Sequence, residues 1–267
     1  MNIIVLIKQI PDPEIPPASF KIDPASNKVI PPQGVAPVID PYSEHALEAA
    51  LKLKDANPGS VIKAISLGTG FNKDLLKKAL ALGVDELIII DDPAFDGSHS
   101  ATTAHALSLA VRKAGQFDII LTGRQAADWD AGQVGLLLAG ILGVTAVSRA
   151  RKIEVTGNML RIERVTSPGY EVVETSVPAV VTVSNEIGKL RLPNIKGVLA
   201  AKKKEPAVWQ AADINGESNP NGNTGGRVRL VRLYQPKRKT RCEIIAGNTP
   251  EEQGANLAAK IHELKLI

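Results

Sequence analysis

The stretch from Asp118 to Val144, DIILTGRQAADWDAGQVGLLLAGILGV, contains the residues best placed to do chemistry. It predicts a buried strand over 118–121, a polar loop with glycine over 122–132, and an apolar helix over about 133–142. Backbone N–H groups at such a helix start can bind a phosphate at the carboxyl edge of a sheet. The loop matches neither a Walker A sequence nor a G-x-G-x-x-G fingerprint. A nucleotide site and an ordinary strand-to-helix turn therefore both remain open.

Two carboxylates in this loop, those of Asp128 and Asp130, could bind a cation or act in acid–base catalysis. The simpler interpretation is a solvated loop in which Asp130 caps the helix that starts near Ala131. The four histidines are scattered without HExxH spacing, so we expect no metal site. No G-x-S-x-G motif supports a serine nucleophile, and the single cysteine excludes a disulfide within the chain.

The composition favours a large α/β domain. Of the 267 residues 44% are apolar and only 3% are aromatic, so Val, Ile, Leu and Ala must build the core. The net charge of +4 is too small to indicate nucleic-acid binding. No apolar window is long enough for membrane insertion and no signal peptide is visible, so we expect a cytoplasmic protein.

Strand and helix patterns alternate over the first half of the chain, which predicts a doubly wound, mostly parallel sheet flanked by helices. A Pro-rich segment over 9–37 interrupts the pattern and is predicted to be a long loop with a short hairpin around 20–29. Strands are predicted at 3–7, 61–66, 87–90 and 118–121, and helices at about 40–53, 73–82, 102–113 and 133–142.

The pattern changes after Val144. Alternating residues predict added strands, some of them antiparallel, at 146–155, 159–165, 170–175 and 179–183. We therefore expect an α/β domain over 1–214, a flexible linker over 215–226 and a C-terminal arm over 227–267, with a basic strand at 227–234 and a last helix at 251–264. An arm without its own core must pack on the main domain or on another chain.

Four motifs in the same order resemble the β subunit of electron transfer flavoprotein over nearly the whole chain. They are VLIKQIPD from Val5, DPYSEHALEAA from Asp40, GRQAADWDAGQVG from Gly123, and LPNI from Leu192, which Lys202, Lys203 and Lys204 follow. The resemblance implies an αβ heterodimer whose α subunit carries the electron-carrying FAD. This chain would hold a nucleotide in its crevice, without catalytic residues of its own, and would help to shuttle electrons between a flavin-dependent acyl-CoA dehydrogenase and another redox partner.

The resemblance also implies site residues. The nucleotide would contact three loops, at Leu6, Asp40, Pro41, Tyr42, Ser43, Leu67, Ala126, Asp128, Trp129, Asp130, Ala131, Gly132, Gln133, Val134, Gly135, Leu136 and Leu137. A recognition loop over about 185–204 would dock the dehydrogenase through Leu192, Pro193, Asn194 and Ile195, with the leucine as the anchor. The C-terminal arm would wrap the α subunit.

One branch of this family holds AMP in the β-subunit crevice, and an electron-bifurcating branch holds a second FAD there. The length, the GYEVVE segment from Gly169 and the extended tail resemble the bifurcating branch. However, His99 stands where that branch has Asp, and Trp129 stands where it has Gly. The ligand therefore stays open between AMP and FAD.

Two hypotheses from other classes remain. A stand-alone adenine-nucleotide-binding protein of the universal-stress-protein type would share the sheet and the crevice, but it leaves the linker and the basic arm unexplained. A hydrolase would use Asp128 and Asp130 with Mg²⁺.

Overall fold

A computed structural model describes residues 1–215, 228, 230–236 and 242–266. The chain forms two compact units, Met1–Lys21 with Val29–Val231 and Ile22–Lys28 with Arg232–Ile267. All of the predicted site residues lie in the larger unit. The predicted linker over 215–226 lies outside the described residues, apart from Asn215.

Thirteen strands are present in the described residues. In chain order they are β1 (Asn2–Leu6), β2 (Gln9–Ile10), β3 (Lys21–Asp23), β4 (Lys28–Ile30), β5 (Val38–Ile39), β6 (Val61–Gly68), β7 (Glu86–Asp91), β8 (Ile119–Gly123), β9 (Thr145–Thr156), β10 (Met159–Thr166), β11 (Gly169–Ser176), β12 (Ala179–Val183) and β13 (Ala207–Trp209). Nine of them form one sheet in the order β11-β10-β9-β12-β8-β1-β6-β7-β13, and β2–β5 and β3–β4 form two small sheets. The β3–β4 sheet confirms the hairpin predicted around 20–29.

The described residues also form eight α-helices, which connect and follow the strands. They are α1 (Pro41–Ala56), α2 (Lys73–Leu76), α3 (Lys78–Leu82), α4 (Ser100–Ala114), α5 (Val134–Leu142), α6 (Ile195–Lys202), α7 (Ala211–Asn215) and α8 (Pro250–Glu263).

The sheet is parallel from β9 through β12, β8, β1, β6 and β7 to β13, and only β10 and β11 run antiparallel to their neighbours. Side chains alternate between its faces. Ile3 and Val5 pack with α1, α3 and α6, whereas Ile4 and Leu6 pack with α4, α5 and α7. Helices on both faces confirm the predicted doubly wound α/β fold with added strands.

Three local predictions need correction. The helix predicted over 73–82 is broken at Lys77, before Gly83 ends it at a φ of +117°. The strand β13, which pairs with β7, was not predicted, because three residues after Pro206 give no periodicity. The basic strand predicted over 227–234 is wrong for its described residues, 228 and 230–234, which are irregular.

The smaller unit contains α8, the predicted last helix. Two side chains cap its start: Thr249 Oγ1 accepts from the Glu252 backbone N–H at 3.2 Å, and Glu252 Oε2 accepts from the Asn248 N–H at 2.8 Å. No residue of α8 is buried, and the apolar side chains of Leu257 and Leu264 are exposed. The helix is therefore formed by its cap and its propensity, with an apolar face left uncovered.

Candidate functional site

The carboxylate of Asp40 is the central polar group at the carboxyl edge of the sheet. It is 1% exposed, and its Oδ2 accepts from the Ser43 backbone N–H at 2.8 Å and the Ser43 hydroxyl at 3.0 Å, which caps α1. Its Oδ1 accepts from the Ala127 N–H at 2.8 Å, which ties the loop after β8 to the helix. Burial raises the pKa of Asp40 above its ordinary value, and these hydrogen bonds offset only part of that effect.

The segment after β1 also contacts Asp40 and the start of α1. The Lys8 carbonyl accepts from the Asp40 N–H at 2.8 Å, and the Lys8 N–H donates to Ser43 Oγ at 3.1 Å. The Lys8 ammonium pairs with Asp128 at 2.6 Å. Three segments that are remote in the sequence therefore meet at one edge of the sheet.

The loop after β6 joins this group through Gln9. Its Oε1 accepts from the Asn72 N–H at 2.8 Å, and its Nε2 donates to the Gly70 carbonyl at 3.3 Å. Leu67 lies at the end of β6, which pairs with β1 in parallel register up to Leu6. The four segments form an edge of the kind at which α/β folds bind nucleotides.

A second layer of contacts shapes the loop after β8. The Gln125 amide donates to Tyr42 Oη at 3.2 Å and to Asp130 Oδ1 at 2.6 Å. The Arg124 guanidinium carbon lies 5.1 Å from the centre of the Tyr42 ring. Gly123 allows this approach, because a Cβ there would lie 2.6 Å from the Tyr42 Cβ.

Asp130 does not cap α5, contrary to the simpler interpretation of the sequence. The helix begins at Val134, and its N-cap Gln133 makes no side-chain cap hydrogen bond. Asp130 instead adopts a φ of +51° and bonds Gln125. Asp128 and Asp130 thus bind different neighbours, which gives no support to a hydrolase that holds Mg²⁺ between them.

The first turn of α5 lies close against the sheet. A Cβ on Gly135 would lie 2.8 Å from both Thr122 Oγ1 and Thr182 Cγ2. The first N–H groups of a helix have no intrahelical partner, so this turn presents donors to an anion. Gly132, with a φ of +62°, leads the chain into it.

The predicted site residues are therefore brought together only in part. Contacts join Asp40, Ser43 and Asp128 to the segment after β1, and Pro41, Tyr42 and Ala126 adjoin them. Trp129 and Ala131 are exposed. Gly132 and Leu136 line a cavity beside the loop after β8, and Leu137 is exposed on α5.

The predicted recognition loop presents Leu192 and Ile195, which are 91% and 82% exposed. Asn194 caps α6 by accepting from the Gly197 N–H at 2.7 Å. Arg191 fixes the chain next to Leu192, because its guanidinium bonds Glu48 on α1 at 2.9 Å and Asp55 at 2.7 Å. These hydrogen bonds, that with Glu48 above all, raise the pKa of Arg191 above its ordinary value.

Lys8, Gln9, Arg124 and Gln125 were not predicted as site residues. Lys8 and Gln9 come two and three residues after the end of β1, and Arg124 and Gln125 come directly after β8. A position close behind a strand end was the available signal. His99, a departure from the bifurcating pattern, serves as the N-cap of α4: its Nδ1 accepts from the Ala101 N–H at 3.3 Å.

Replacing Asp40 with serine should keep the helix cap but free the 126–130 loop. A serine hydroxyl can still cap α1, but it has no second oxygen for the Ala127 N–H. We expect hydrogen exchange at the Ala127 amide to become about 10- to 100-fold faster, the equivalent of one lost charge-assisted hydrogen bond. Asp92→Ser is the control, since Asp92 also bonds its own turn and a remote amide. Unchanged exchange at Ala127 would contradict the role of Asp40.

The structure also bears on metal binding and on membrane-spanning helices. Within the described ranges, no group of three or more His, Cys, Asp or Glu side chains could hold a metal ion. No helix in the same part of the chain has the length and apolar character needed to cross a bilayer.

Known proteins are similar to this sequence along its whole length. The model of the electron transfer flavoprotein domain matches residues 28–214. The electron transfer flavoprotein subunit beta of Thermoanaerobacterium thermosaccharolyticum is 36% identical over 268 residues, 100% of each chain. The caffeyl-CoA reductase-Etf complex subunit CarD of Acetobacterium woodii is 31% identical over 267 residues, 100% of each chain. Protein FixA of Azotobacter vinelandii is 32% identical over 268 residues, 97% of this chain and 93% of its own. The present chain belongs to the electron transfer flavoprotein β-subunit family.

Proposed function

We propose that this chain is the β subunit of a heterodimeric electron carrier. Its α partner holds the electron-carrying FAD, and the carrier passes electrons between a flavin-dependent dehydrogenase and another redox partner. The chain binds AMP or a second FAD at the edge formed by β1, β6 and β8. The cytoplasmic location stays a prediction.

The observation that carries this proposal is the joining of the loops at that edge. The carboxylate of Asp40 caps α1 and holds the Ala127 amide, and Lys8 bonds both Ser43 and Asp128. These contacts hold the loop before α5 in place, so the donors of the first turn of α5 stand at a fixed position. A fixed set of donors binds a phosphate without an ordering cost.

The exposure of Leu192 supports docking of a dehydrogenase. A large apolar side chain that is 91% exposed gains nothing in folding, and apolar anchors of this kind bind in partner pockets. Arg191 holds the adjacent backbone through Glu48. We assign an acyl-CoA dehydrogenase-type flavoenzyme as the partner. The relative CarD is named as a subunit of a caffeyl-CoA reductase-Etf complex, and the name of that reductase also contains a CoA compound.

The α subunit is the occupant that we propose for the exposed face of α8. Leu257 on this helix, Leu264 at its C-cap and Leu266 after it are exposed. Burial of an apolar side chain contributes about 1.5–3 kcal/mol, so covering these residues would stabilise the heterodimer.

Co-expression with an α subunit tests the proposal. We expect a 1:1 heterodimer that contains FAD, and denaturation should release one nucleotide from each chain. AMP with one FAD would identify a single-flavin carrier, whereas two FAD per heterodimer would favour bifurcation. Failure to form a flavin-containing heterodimer would contradict the proposed function. A stable homodimer with adenine nucleotide and no flavin would favour the universal-stress-protein type.

A further inference from the structure

A cavity of about 260 Å³ lies beside the loop after β8. Arg124 and Gln125 from that loop, Leu136 of α5, Thr182 of β12 and Arg149 of β9 are among the residues that line it. Gly132 also lines it, and both Gly132 and Leu136 are among the predicted nucleotide contacts. The cavity is smaller than the roughly 300–1,000 Å³ of sites for drug-sized ligands, so it suits a small group.

Arg149 holds an unusual backbone conformation at this cavity. Its φ is +58°, in the left-handed region that disfavours arginine. It lies in a β-bulge, because the pairing of β12 with β9 shifts register between Val181 and Val183. Its N–H donates to Thr182 Oγ1 at 3.0 Å. Bulges re-aim side chains beside functional sites, and residues in strained backbone conformations cluster at such sites.

The charges around the cavity are positive and incompletely neutralised. The Arg149 guanidinium makes no ion pair or hydrogen bond with any described residue, and Arg124 Nε is buried with no hydrogen-bond partner among those residues. Glu186 interacts with Arg124 only at a distance. A third guanidinium, that of Arg164, donates to Ser148 Oγ at 2.9 Å and is paired with Glu171. Two of the three guanidiniums thus lack a carboxylate.

We propose that this cavity binds a phosphoryl group between Arg124 and Arg149. The planar guanidinium presents donors that match phosphate oxygens, and a dianion would satisfy the buried Arg124 Nε. The phosphoryl group belongs either to free phosphate or to the nucleotide in the neighbouring crevice, since both carry the same chemistry.

This inference is tested by calorimetric titration with inorganic phosphate. The sample is the full-length chain in the assembly in which it purifies. Sodium chloride at the same ionic strength corrects for screening. We expect saturable binding that Arg149→Gln weakens about tenfold or more, the scale of one charge-assisted contact. Arg161→Gln is the matched control, because Arg161 is an arginine on β10 that pairs with Glu154 outside the cavity. It should leave the affinity unchanged.

Arg149→Gly separates binding from folding. Glycine accepts the positive φ, so this variant should keep the melting temperature while it loses phosphate binding. Binding with the nucleotide in place would assign the site to free phosphate. Binding only after nucleotide removal, weakened by Arg149→Gln, would assign it to the phosphate of the nucleotide. The inference would be overturned if phosphate did not bind saturably either with the nucleotide in place or after its removal. It would also be overturned if wild type and Arg149→Gln bound phosphate with equal affinity. Both results are independent of whether the chain forms a flavin heterodimer.

Discussion

Truncation of Leu192 to alanine should weaken electron transfer from the dehydrogenase to the heterodimer about 30-fold, through a higher KM for the partner. This is the effect of losing about 2 kcal/mol at an interface anchor. Flavin content and heterodimer mass should stay unchanged, because the side chain is 91% exposed and supports little of the fold. The KM is measured from the steady-state rate at which an acyl-CoA dehydrogenase reduces the heterodimer, with the heterodimer concentration varied.

Met159→Ala is the matched control for Leu192→Ala. Met159 is also an exposed apolar residue of the larger unit, but it lies at the β9–β10 turn. We expect its KM to equal that of the wild type. If Leu192→Ala lowers flavin content together with electron transfer, the loop is structural and does not dock the partner.

Two glycines of the same helix should respond to alanine in opposite directions. Gly135→Ala should lower the free energy of unfolding by about 1–3 kcal/mol, since its Cβ would meet Thr122 and Thr182 at 2.8 Å. A Cβ at Gly140 would meet nothing within 4 Å, so Gly140→Ala should raise the free energy of unfolding by up to about 1 kcal/mol through helix propensity. Urea denaturation measures both changes.

The same pair tests the nucleotide cradle. Gly135→Ala pushes the first turn of α5 away from the sheet, so the affinity for the crevice nucleotide should fall with the stability. Gly140→Ala lies further along the helix and should leave that affinity unchanged. If Gly135→Ala binds nucleotide as tightly as the wild type, the donors of α5 do not hold the phosphate.

Much of the fold could be predicted because its signals are local and repeated. Apolar runs such as Ile3–Ile7 and the Asp40–Pro41 helix start depend on neighbouring residues alone. The bulge at Arg149 was not predictable, since it depends on how two strands come into register. The same holds for β13, whose three residues form a strand only because β7 offers an unpaired edge.

The candidate site divides in the same way. Asp40 could be predicted as a helix cap, but its second bond, to Ala127, joins residues 87 positions apart and has no local signal. Asp130 was predicted as a cap because aspartate favours that position, yet Gln125 binds its carboxylate instead. Tertiary partners therefore decided the roles that local preference left open.

The helix α1 connects the two proposed functions mechanically. Its N-cap Asp40 holds the crevice loop, and Glu48, eight residues further along, holds Arg191 beside the docking leucine. At 1.5 Å per residue, these two anchor points are about 12 Å apart along the helix axis. A rigid, buried helix keeps that separation constant, so α1 acts as a spacer. One inserted residue between the anchors would rotate one relative to the other by about 100°, which would misalign the bound nucleotide and the docked partner.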